Sequence, residues 1–502
     1  MMLSPVQQAA QQSPDNAAVL LEGTPIPYAS WAAQVSALSA NLQRQGVVPG
    51  AIIAAIVPVN QNSNHDLAQQ TFAVMTLYWA CVEIGAIFFP INGRFSVSQI
   101  EQLIRRFQIH FIWQNDKVVT QERHPALIDL TQNITTVHQL DNGQLGNDQL
   151  DNSQPAYTLQ KINPHKPVNI ILTSGSSGTP KAAVHGLINH IASAQGSSRY
   201  IPLHHNDRWL LSLPLFHIGG LAIVNRCALA KACIVIKSNR IALAQQLEDE
   251  AITHVSMVPT QAIEIVQQAP QALGSLKALL LGGGVIDAAL IEALAQTKVN
   301  TYTSYGMTEM SSQITTAKAN LQQHHGRALP NRQLKLVDDV IWVKGECLFQ
   351  GYLSVNEQQH QLDLPVDEQG WFCTQDRGQL NEKGQLILLG RADNMFICGG
   401  ENIQPEEIES VLLQHPLVNK ALVFGLADEK FGLLPAAIIE YKQDELPANI
   451  EQQLAQMVTQ QLASFKRPRH FYTWPNITMD GLKINRKRVI SDVISTVHKS
   501  KN

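Results

Sequence analysis

Several features that mark specialised classes of protein are missing from this 502-residue chain. Its six cysteines are scattered without a C-x-x-C pair, which argues against both a disulfide framework and a zinc site. Charged residues make up only 16% of the chain and the net charge is -4, so no basic excess would attract nucleic acid or an anionic membrane. The N-terminus lacks the basic start and apolar run of a signal peptide. We therefore expect a cytoplasmic globular protein without a nucleic-acid partner.

The chain also lacks an uninterrupted hydrophobic run of membrane-spanning length. The best candidate, "FAVMTLYWACVEIGAIFFPI" at residues 72–91, contains Glu83 in its middle and is broken by Gly85 and Pro90. The segment instead predicts a buried helix to about Glu83, a turn at Gly85 and a short strand, "AIFF".

The order of apolar patterns indicates several domain-sized units. Residues 28–125 alternate between helical and strand patterns, which is typical of a parallel α/β layer. The polar tract at 140–154 is expected to be a loop with no chemistry of its own. The patterns predict an α/β fold with a large N-terminal domain at 1–392, which includes a β-rich subdomain over 333–392, and a small α/β tail at 393–502.

The stretch "ILTSGSSGTPKAAVHG" places a loop rich in glycine and hydroxyl groups directly after an apolar strand. Glycines let main-chain N–H groups turn towards an anion, and hydroxyls and a lysine add donors and charge. The spacing differs from that of a Walker loop, because two residues separate Gly175 from Gly178 and Ala182 follows Lys181. The pattern favours a phosphate-binding loop, and an ordinary Gly/Ser turn is the alternative.

Four further motifs carry residue types suited to nucleotide chemistry. "TSYGMTEMSSQ" is predicted to place Tyr305, Thr308 and Glu309 in a loop that Gly306 interrupts, after a candidate strand. It offers an aromatic ring for stacking on a base, a hydroxyl for a phosphoryl oxygen and a carboxylate for Mg²⁺, although a polar loop with a buried tyrosine is the alternative. "LLLGGGVI" could bring a ligand against bare backbone at a strand end, and a tight strand-to-helix turn is the alternative. "TQDRG" offers a carboxylate for a ribose diol, and a solvated turn aspartate is the alternative. "DGLKINR" places a lysine in a glycine-led loop beside a basic cluster, which could also be a solvated surface.

In this order, and together with "LPLFH" and "GRADNMFICGGE", the motifs resemble those of the acyl-activating, adenylate-forming superfamily over roughly residues 20–490. Members join a carboxylate to ATP as an acyl-adenylate, and in the CoA ligases the thiol of coenzyme A then displaces AMP. The resemblance implies ATP, Mg²⁺ and coenzyme A as partners of a small-molecule carboxylate.

The resemblance also implies roles for individual residues. The loop residues that would hold the β- and γ-phosphates are Thr173, Ser174, Gly175, Ser176, Ser177, Gly178, Thr179 and Lys181. Glu309 would bind Mg²⁺, Thr308 the α-phosphate, and Tyr305 with Gly306 the adenine. Gly282 and Gly283 would line the base and the acyl group, Asp376 would hold the ribose, and Arg391 would lie near ribose and phosphate.

Further implied roles concern the C-terminal domain, which rotates between half-reactions in this superfamily. Lys483 would bridge the α-phosphate and the carboxylate during adenylation, although Lys487 is a second candidate because the motif departs from the usual P-x-x-G-K ending. Asp393 matches the hinge position, and Gly399 and Gly400 would shape the pantetheine tunnel for coenzyme A.

"TQDRG" and "DGLKINR" most resemble one branch, the bacterial o-succinylbenzoate–CoA ligases of menaquinone synthesis. The substrate of that branch carries two carboxylates. His217 matches the acyl-pocket histidine of the superfamily, and Arg226 could hold the ring carboxylate; the alternative is that Arg226 reaches water at a helix edge. A ligase for another acid, and a non-catalytic nucleotide-binding protein, are the alternative functions. A homo-oligomer is compatible with the sequence.

Overall fold

The fold is described from a computed structural model. It describes residues 1–57, 67–109, 111–113, 161–173, 180–282, 286, 288–357, 359–398, 401–428, 432–462, 464–476 and 485–499. The polar tract at 140–154 lies outside these residues.

The helices within the described residues follow in chain order: α1 (Pro5–Gln12), α2 (Tyr28–Arg44), α3 (Leu67–Ile84), α4 (Val97–Arg106), α5 (Leu187–Ser198), α6 (Ile218–Ala230), α7 (Leu243–Asp249), α8 (Pro259–Gln268), α9 (Ala288–Ala295), α10 (Pro405–Leu412), α11 (Ile450–Gln461) and α12 (Arg486–Lys499). Short 3₁₀ helices lie at Pro270–Leu273, Thr308–Met310, Ala392–Asn394 and Ser464–Lys466.

The first fourteen strands are β1 (Ala17–Leu21), β2 (Thr24–Pro27), β3 (Ile52–Val57), β4 (Ile87–Asn92), β5 (Phe111–Trp113), β6 (Pro167–Thr173), β7 (Lys181–Gly186), β8 (Arg208–Leu211), β9 (Cys233–Ile236), β10 (His254–Met257), β11 (Ala278–Leu281), β12 (Thr301–Met307), β13 (Ser312–Lys318) and β14 (Arg327–Ala328). They are followed by β15 (Arg332–Val337), β16 (Val340–Gly345), β17 (Gly351–Asn356), β18 (Gln359–Asp363), β19 (Phe372–Leu380), β20 (Leu386–Arg391), β21 (Phe396–Cys398), β22 (Glu401–Ile403), β23 (Val418–Asp428), β24 (Gly432–Tyr441) and β25 (His470–Thr473).

Two large sheets carry the N-terminal body. Among the described residues, the first sheet has the order β18-β17-β7-β6-β4-β3-β5 and the second has the order β14-β13-β12-β11-β10-β8-β9-β1-β2. The central pairs β3–β4, β10–β11 and β11–β12 are parallel, as the alternation of helix and strand patterns predicted. The largest hydrophobic core contains residues of both sheets and of α2, α3 and α6, including the fully buried Trp31, Trp79 and Trp209.

The hydrophobic run at 72–91 lies inside this body. It forms most of α3, a turn at Gly85 with a φ of +74°, and strand β4, as predicted. The expected break at Pro90 is wrong, because β4 continues through Pro90 to Asn92 in its pairing with β3. Gly85 is required there because only glycine adopts a positive φ without steric cost. Within the described part of the chain, no helix has the length and hydropathy needed to cross a membrane.

The C-terminal third of the chain forms two smaller sheets. Four strands of the stretch predicted to be β-rich form the antiparallel order β15-β16-β19-β20, whereas β17 and β18 from the same stretch extend the first large sheet next to β7. Beyond it, β21, β22, β23, β24 and β25 form a mixed sheet whose core includes apolar residues of α10 and α11. This is the adenylate-forming enzyme fold class expected from the sequence: a large α/β body, a β-rich subdomain and a small α+β C-terminal domain.

Candidate functional site

The motif "YGMTE" lies where β12 ends, near the first sheet. The sequence predicted Tyr305 and Gly306 in a loop, but both belong to β12, and only Thr308 and Glu309 lie in the following 3₁₀ helix. Pairing with β13 extends the strand, and the register shifts between Tyr305 and Gly306. The main-chain N–H of Phe349 donates to the Glu309 carbonyl at 2.8 Å and joins this turn to the segment before β17.

Glu309 is a buried carboxylate, with 7% of its surface exposed. The Tyr352 hydroxyl donates to Glu309 Oε1 at 2.7 Å, and the Lys181 Nζ lies 4.8 Å from the centre of the Tyr352 ring. Burial raises the pKa of Glu309, while the Tyr352 hydrogen bond and the charge of Lys181 oppose that rise. The structure therefore brings together two predicted site residues, Lys181 and Glu309, around a tyrosine that the sequence did not single out.

Glu309 suits Mg²⁺ as a single protein ligand. Among the described residues, no group of three or more His, Cys, Asp or Glu side chains could hold a metal ion. Mg²⁺ commonly takes one or two carboxylates and completes its coordination with water and substrate phosphates. A carboxylate near a lysine that is expected to bind phosphate meets that requirement.

The structure describes the two strands that flank the glycine-rich loop. Thr173 and Lys181 pair across the antiparallel strands β6 and β7, so the loop leaves and returns at one point of the first sheet. Arg106 Nη1 donates to the Pro180 carbonyl at 2.7 Å and ties the returning chain to α4. Residues 174–179 of the loop (Ser174, Gly175, Ser176, Ser177, Gly178 and Thr179) lie outside the described residues.

A second cluster joins three predicted ligands of the nucleoside. The buried Tyr305 donates its hydroxyl to Asp376 Oδ2 at 2.6 Å, and Arg391 Nη1 donates to Asp376 Oδ1 at 3.0 Å. Arg391 also donates from Nε and Nη2 to the two oxygens of Asp393, at 3.0 and 3.3 Å. Burial, and after it the neighbouring Asp376, raises the pKa of Tyr305 well above its ordinary value, so the hydroxyl stays protonated. This network links β12, β19 and the proposed hinge.

A buried series of polar side chains ends at the main-chain carbonyl of Thr308. His185 Nε2 lies 2.8 Å from the Thr308 carbonyl and therefore carries a proton; His185 Nδ1 lies 3.4 Å from Asn169 Nδ2. Asn169 Oδ1 in turn lies 2.6 Å from His190 Nε2. Because Nδ1 faces the amide donor of Asn169, the ring of His185 is held neutral. Burial lowers its pKa to about 4.

This neutral histidine predicts a pH-dependent stability. The pKa values of His185 and of the buried His254 are both lowered to about 4 in the folded protein. Below about pH 6.5 these histidines therefore bind protons in the unfolded chain but stay neutral in the folded one. The free energy of unfolding should fall with decreasing pH between about 6.5 and 4, by about 1.4 kcal/mol per pH unit for each histidine. Denaturant unfolding across this range measures the slope. His185→Gln should remove one histidine's share, and a variant with an unchanged slope would contradict the assignment.

Arg226 lies on α6 and is buried, with 6% of its surface exposed. Its Nε donates to the Ala222 carbonyl at 3.1 Å, its Nη2 donates to Gln313 Oε1 at 3.3 Å, and its Cζ lies 4.5 Å above the ring of Trp209. The buried Nη1 has no hydrogen-bond partner within the described structure. The alternative that Arg226 reaches water at a helix edge is therefore wrong.

Two other predicted residues border the same region. His217 is exposed, immediately precedes α6, and has its ring 4.7 Å from that of Phe216. Gly282 follows β11, and a side-chain carbon there would lie 3.3 Å from Ser304 Oγ. The remaining predicted positions, Gly283, Gly399, Gly400 and Lys483, lie outside the described residues.

Sequence reasoning missed three side chains that contact predicted site residues. Tyr352 bonds to Glu309, His185 to the carbonyl of Thr308, and Gln313 to Arg226. Gln313 ends the quoted "TSYGMTEMSSQ" and Tyr352 follows Gly351 in "CLFQGY", so both stand in or near motifs. A polar residue within a predicted buried strand was the one sequence signal that could have identified them.

Comparisons with known proteins identify the family of the chain. The AMP-binding enzyme family matches residues 6–353, and the AMP-binding enzyme C-terminal domain matches residues 407–480. A protein of Salmonella typhimurium named 2-succinylbenzoate–CoA ligase is 36% identical over 413 residues, which cover 82% of this chain and 83% of that protein.

Two solved structures cover nearly the whole chain. An Escherichia coli MenE variant with bound OSB-AMS has 30% identity and a TM-score of 0.77, covering 98% of each chain. The o-succinylbenzoate coenzyme A synthetase (MenE) of Bacillus subtilis, in complex with AMP, has 25% identity and a TM-score of 0.78, covering 97% of this chain and 96% of that one. On the extent of these matches, the chain belongs to the AMP-binding enzyme family.

Proposed function

We propose that this protein is an ATP-dependent carboxylate–CoA ligase that acts in the cytoplasm on 2-succinylbenzoate, in menaquinone biosynthesis. The products would be 2-succinylbenzoyl-CoA, AMP and pyrophosphate. The observation that carries the choice of acid is Arg226, a buried guanidinium with neutral partners and one unpaired N–H group. A buried charge needs a counter-charge or many hydrogen bonds, and a second carboxylate on the substrate supplies one. The names of the relatives support the same acid.

In the first half-reaction, a carboxylate oxygen of the acid attacks the α-phosphorus of ATP and pyrophosphate leaves. Both reactants are anions, so catalysis depends mainly on positioning and on neutralising charge. We assign Lys181 and the glycine-rich loop to the β- and γ-phosphates, Thr308 to the α-phosphate, and Glu309 to Mg²⁺. The bound Mg²⁺ would offset phosphate charge. The Tyr352 hydroxyl donates to the Glu309 carboxylate and its ring contacts the Lys181 ammonium, so Tyr352 holds the two charged groups near each other.

The nucleoside would lie at the second cluster. Asp376 is fixed by the Tyr305 hydroxyl and by Arg391, and its carboxylate can accept hydrogen bonds from a ribose diol. Arg391 is shared between Asp376 and Asp393, so the ribose contact and the proposed hinge are coupled through one guanidinium.

The second half-reaction is attack of the CoA thiol on the acyl carbonyl carbon. A carbon–sulfur bond forms, the bond to AMP breaks, and the thiol proton is lost. We propose that the domain at 393–502 turns about Asp393 between the two steps. Lys483 would serve only the first step, and Gly399 with Gly400 only the second.

A panel of acids tests the substrate assignment. With ATP, Mg²⁺ and CoA present, pyrophosphate release and thioester formation are measured for 2-succinylbenzoate, benzoylpropionate (the same acid without the ring carboxylate), benzoate and short fatty acids. We expect the highest kcat/KM for 2-succinylbenzoate, because only this acid offers a second carboxylate to Arg226.

The other outcomes separate the alternatives. A higher kcat/KM for a monocarboxylate would indicate a ligase for another acid. ATP binding without pyrophosphate release from any acid would indicate a non-catalytic nucleotide-binding protein, and would overturn the proposal.

A further inference from the structure

Every hydrogen-bond and ring partner of the Arg226 guanidinium in the described structure is neutral. They are the Ala222 carbonyl, the Gln313 amide oxygen and the Trp209 ring. None of the ion pairs formed between described residues includes Arg226. Its positive charge is thus oriented but not neutralised by the described residues around it.

A second buried guanidinium adds to this charge. Arg332, with 6% of its surface exposed, donates from Nη1 to the main-chain carbonyl of Gln313 and from Nε to the Pro330 carbonyl at 3.1 Å. Burial, and also the charge of Arg332, lowers the pKa of Arg226 to about 10, which leaves it a cation at neutral pH. Gln313 therefore contacts two buried cations, one with its side chain and one with its main chain.

The amide of Gln313 is held in one orientation. Its Nε2 donates to Thr316 Oγ1 at 2.7 Å, and that hydroxyl uses its own hydrogen towards the Thr315 carbonyl at 2.8 Å. The threonine oxygen can therefore only accept from Gln313, so the amide oxygen must face Arg226. With 2% of its surface exposed, Gln313 has no room to turn away.

The neutrality of Gln313 has a chemical consequence. Glutamate has nearly the same shape and would form a stronger, charge-assisted bond with the guanidinium. It would also neutralise Arg226 and repel an incoming carboxylate. Glutamine holds the guanidinium in place and leaves its charge available to a ligand.

We infer that Gln313 is a positioning residue that sets the preference for acids with a second carboxylate, by orienting Arg226 without neutralising it. The inference rests on the proposed function, in which Arg226 binds the ring carboxylate of the substrate. Discrimination of this kind combines an attractive group for the right ligand with the absence of a competing counter-charge.

The test compares Gln313→Glu with the nearly isosteric, uncharged Gln313→Met. For Gln313→Glu we expect KM for 2-succinylbenzoate to rise roughly ten- to hundredfold, with kcat and the KM for ATP changed less than about threefold. Benzoylpropionate should be used about as well as by the parent enzyme. Gln313→Met should lose orientation but not charge, so its KM for 2-succinylbenzoate should rise less, roughly three- to tenfold.

A double-mutant cycle separates this role from a structural one. In an Arg226→Leu background, Gln313→Met should cause no further loss of preference for 2-succinylbenzoate, because the guanidinium that Gln313 orients is gone. Equal losses for both acids and for ATP, or a larger effect of Met than of Glu, would show a merely structural residue and overturn the inference.

The same data distinguish this inference from the proposed function. If the parent enzyme does not prefer 2-succinylbenzoate over benzoylpropionate, the role of Arg226 fails and the role of Gln313 fails with it. If the parent prefers the dicarboxylate and Gln313→Glu keeps that preference, only the inference about Gln313 is wrong.

Discussion

Replacing Arg226 with leucine is expected to lower kcat/KM for 2-succinylbenzoate by roughly 30-fold to several thousandfold, since losing one partner of a desolvated charge pair costs about 2–5 kcal/mol. The ring carboxylate must leave water to enter its pocket, and without the Arg226 guanidinium it loses the counter-charge proposed to bind it. Arg226 is buried, and its Nη1 has no protein partner in the described structure. Because the position is buried, water cannot readily take the place of the guanidinium and solvate the carboxylate.

The measurement compares two acids and ATP. The KM for ATP should stay the same, and benzoylpropionate should lose little or even gain, because the leucine pocket no longer holds an uncompensated cation. Arg226→Lys, which keeps the charge but loses the planar fork, should fall between leucine and the parent. Equal losses for both acids would contradict the proposed role and leave Arg226 a structural residue.

Asp393→Pro is expected to divide the two half-reactions. Asp393 lies in the 3₁₀ helix Ala392–Asn394, and its carboxylate accepts two hydrogen bonds from Arg391. Proline fixes φ near -65°, a value that a 3₁₀ helix accepts but that a hinge adopting two conformations does not keep. A proline cannot follow the φ change of the hinge, so the groups of the second half-reaction would be misplaced. Thioester formation should therefore fall by roughly a hundredfold or more while ATP–pyrophosphate exchange persists.

Asp393→Ala is the matched control for this variant. It removes the same carboxylate and the same ion pair with Arg391, but leaves φ free, so both half-reactions should continue. Exchange measured with labelled pyrophosphate and thioester formation from isolated acyl-adenylate give the two rates. If proline and alanine behave alike, or if proline slows both steps equally, the hinge does not lie at Asp393.

Local features of this protein followed from short stretches of sequence. The helix Leu67–Ile84, the turn at Gly85 and the strand Ile87–Asn92 were predictable because glycine and one buried glutamate punctuate the run. In α4, the Ser96 and Gln99 side chains form a capping box with main-chain N–H groups only three residues apart. These structures depend on residues a few positions apart, so tertiary contacts did not have to be known.

The family also followed from sequence, because its motifs combine particular residue types with fixed local spacing and occur in a fixed order. The sequence predicted less accurately where each element begins and ends. Tyr305 and Gly306 were expected in a loop but extend β12, since pairing with β13 continues past the point where the local pattern indicated a turn. Strand ends are set by a partner strand as much as by the strand's own residues.

The sequence by itself determined the family, the order of the α/β and β-rich parts, and most of the residues expected at the nucleotide. Only the tertiary structure decided that Arg226 is buried rather than at the water boundary, and which residues support the site. Gln313 is 87 positions from Arg226, and Tyr352 is 43 positions from Glu309. Such partners meet because strands pair and sheets pack across the core, and no spacing within a motif encodes that pairing.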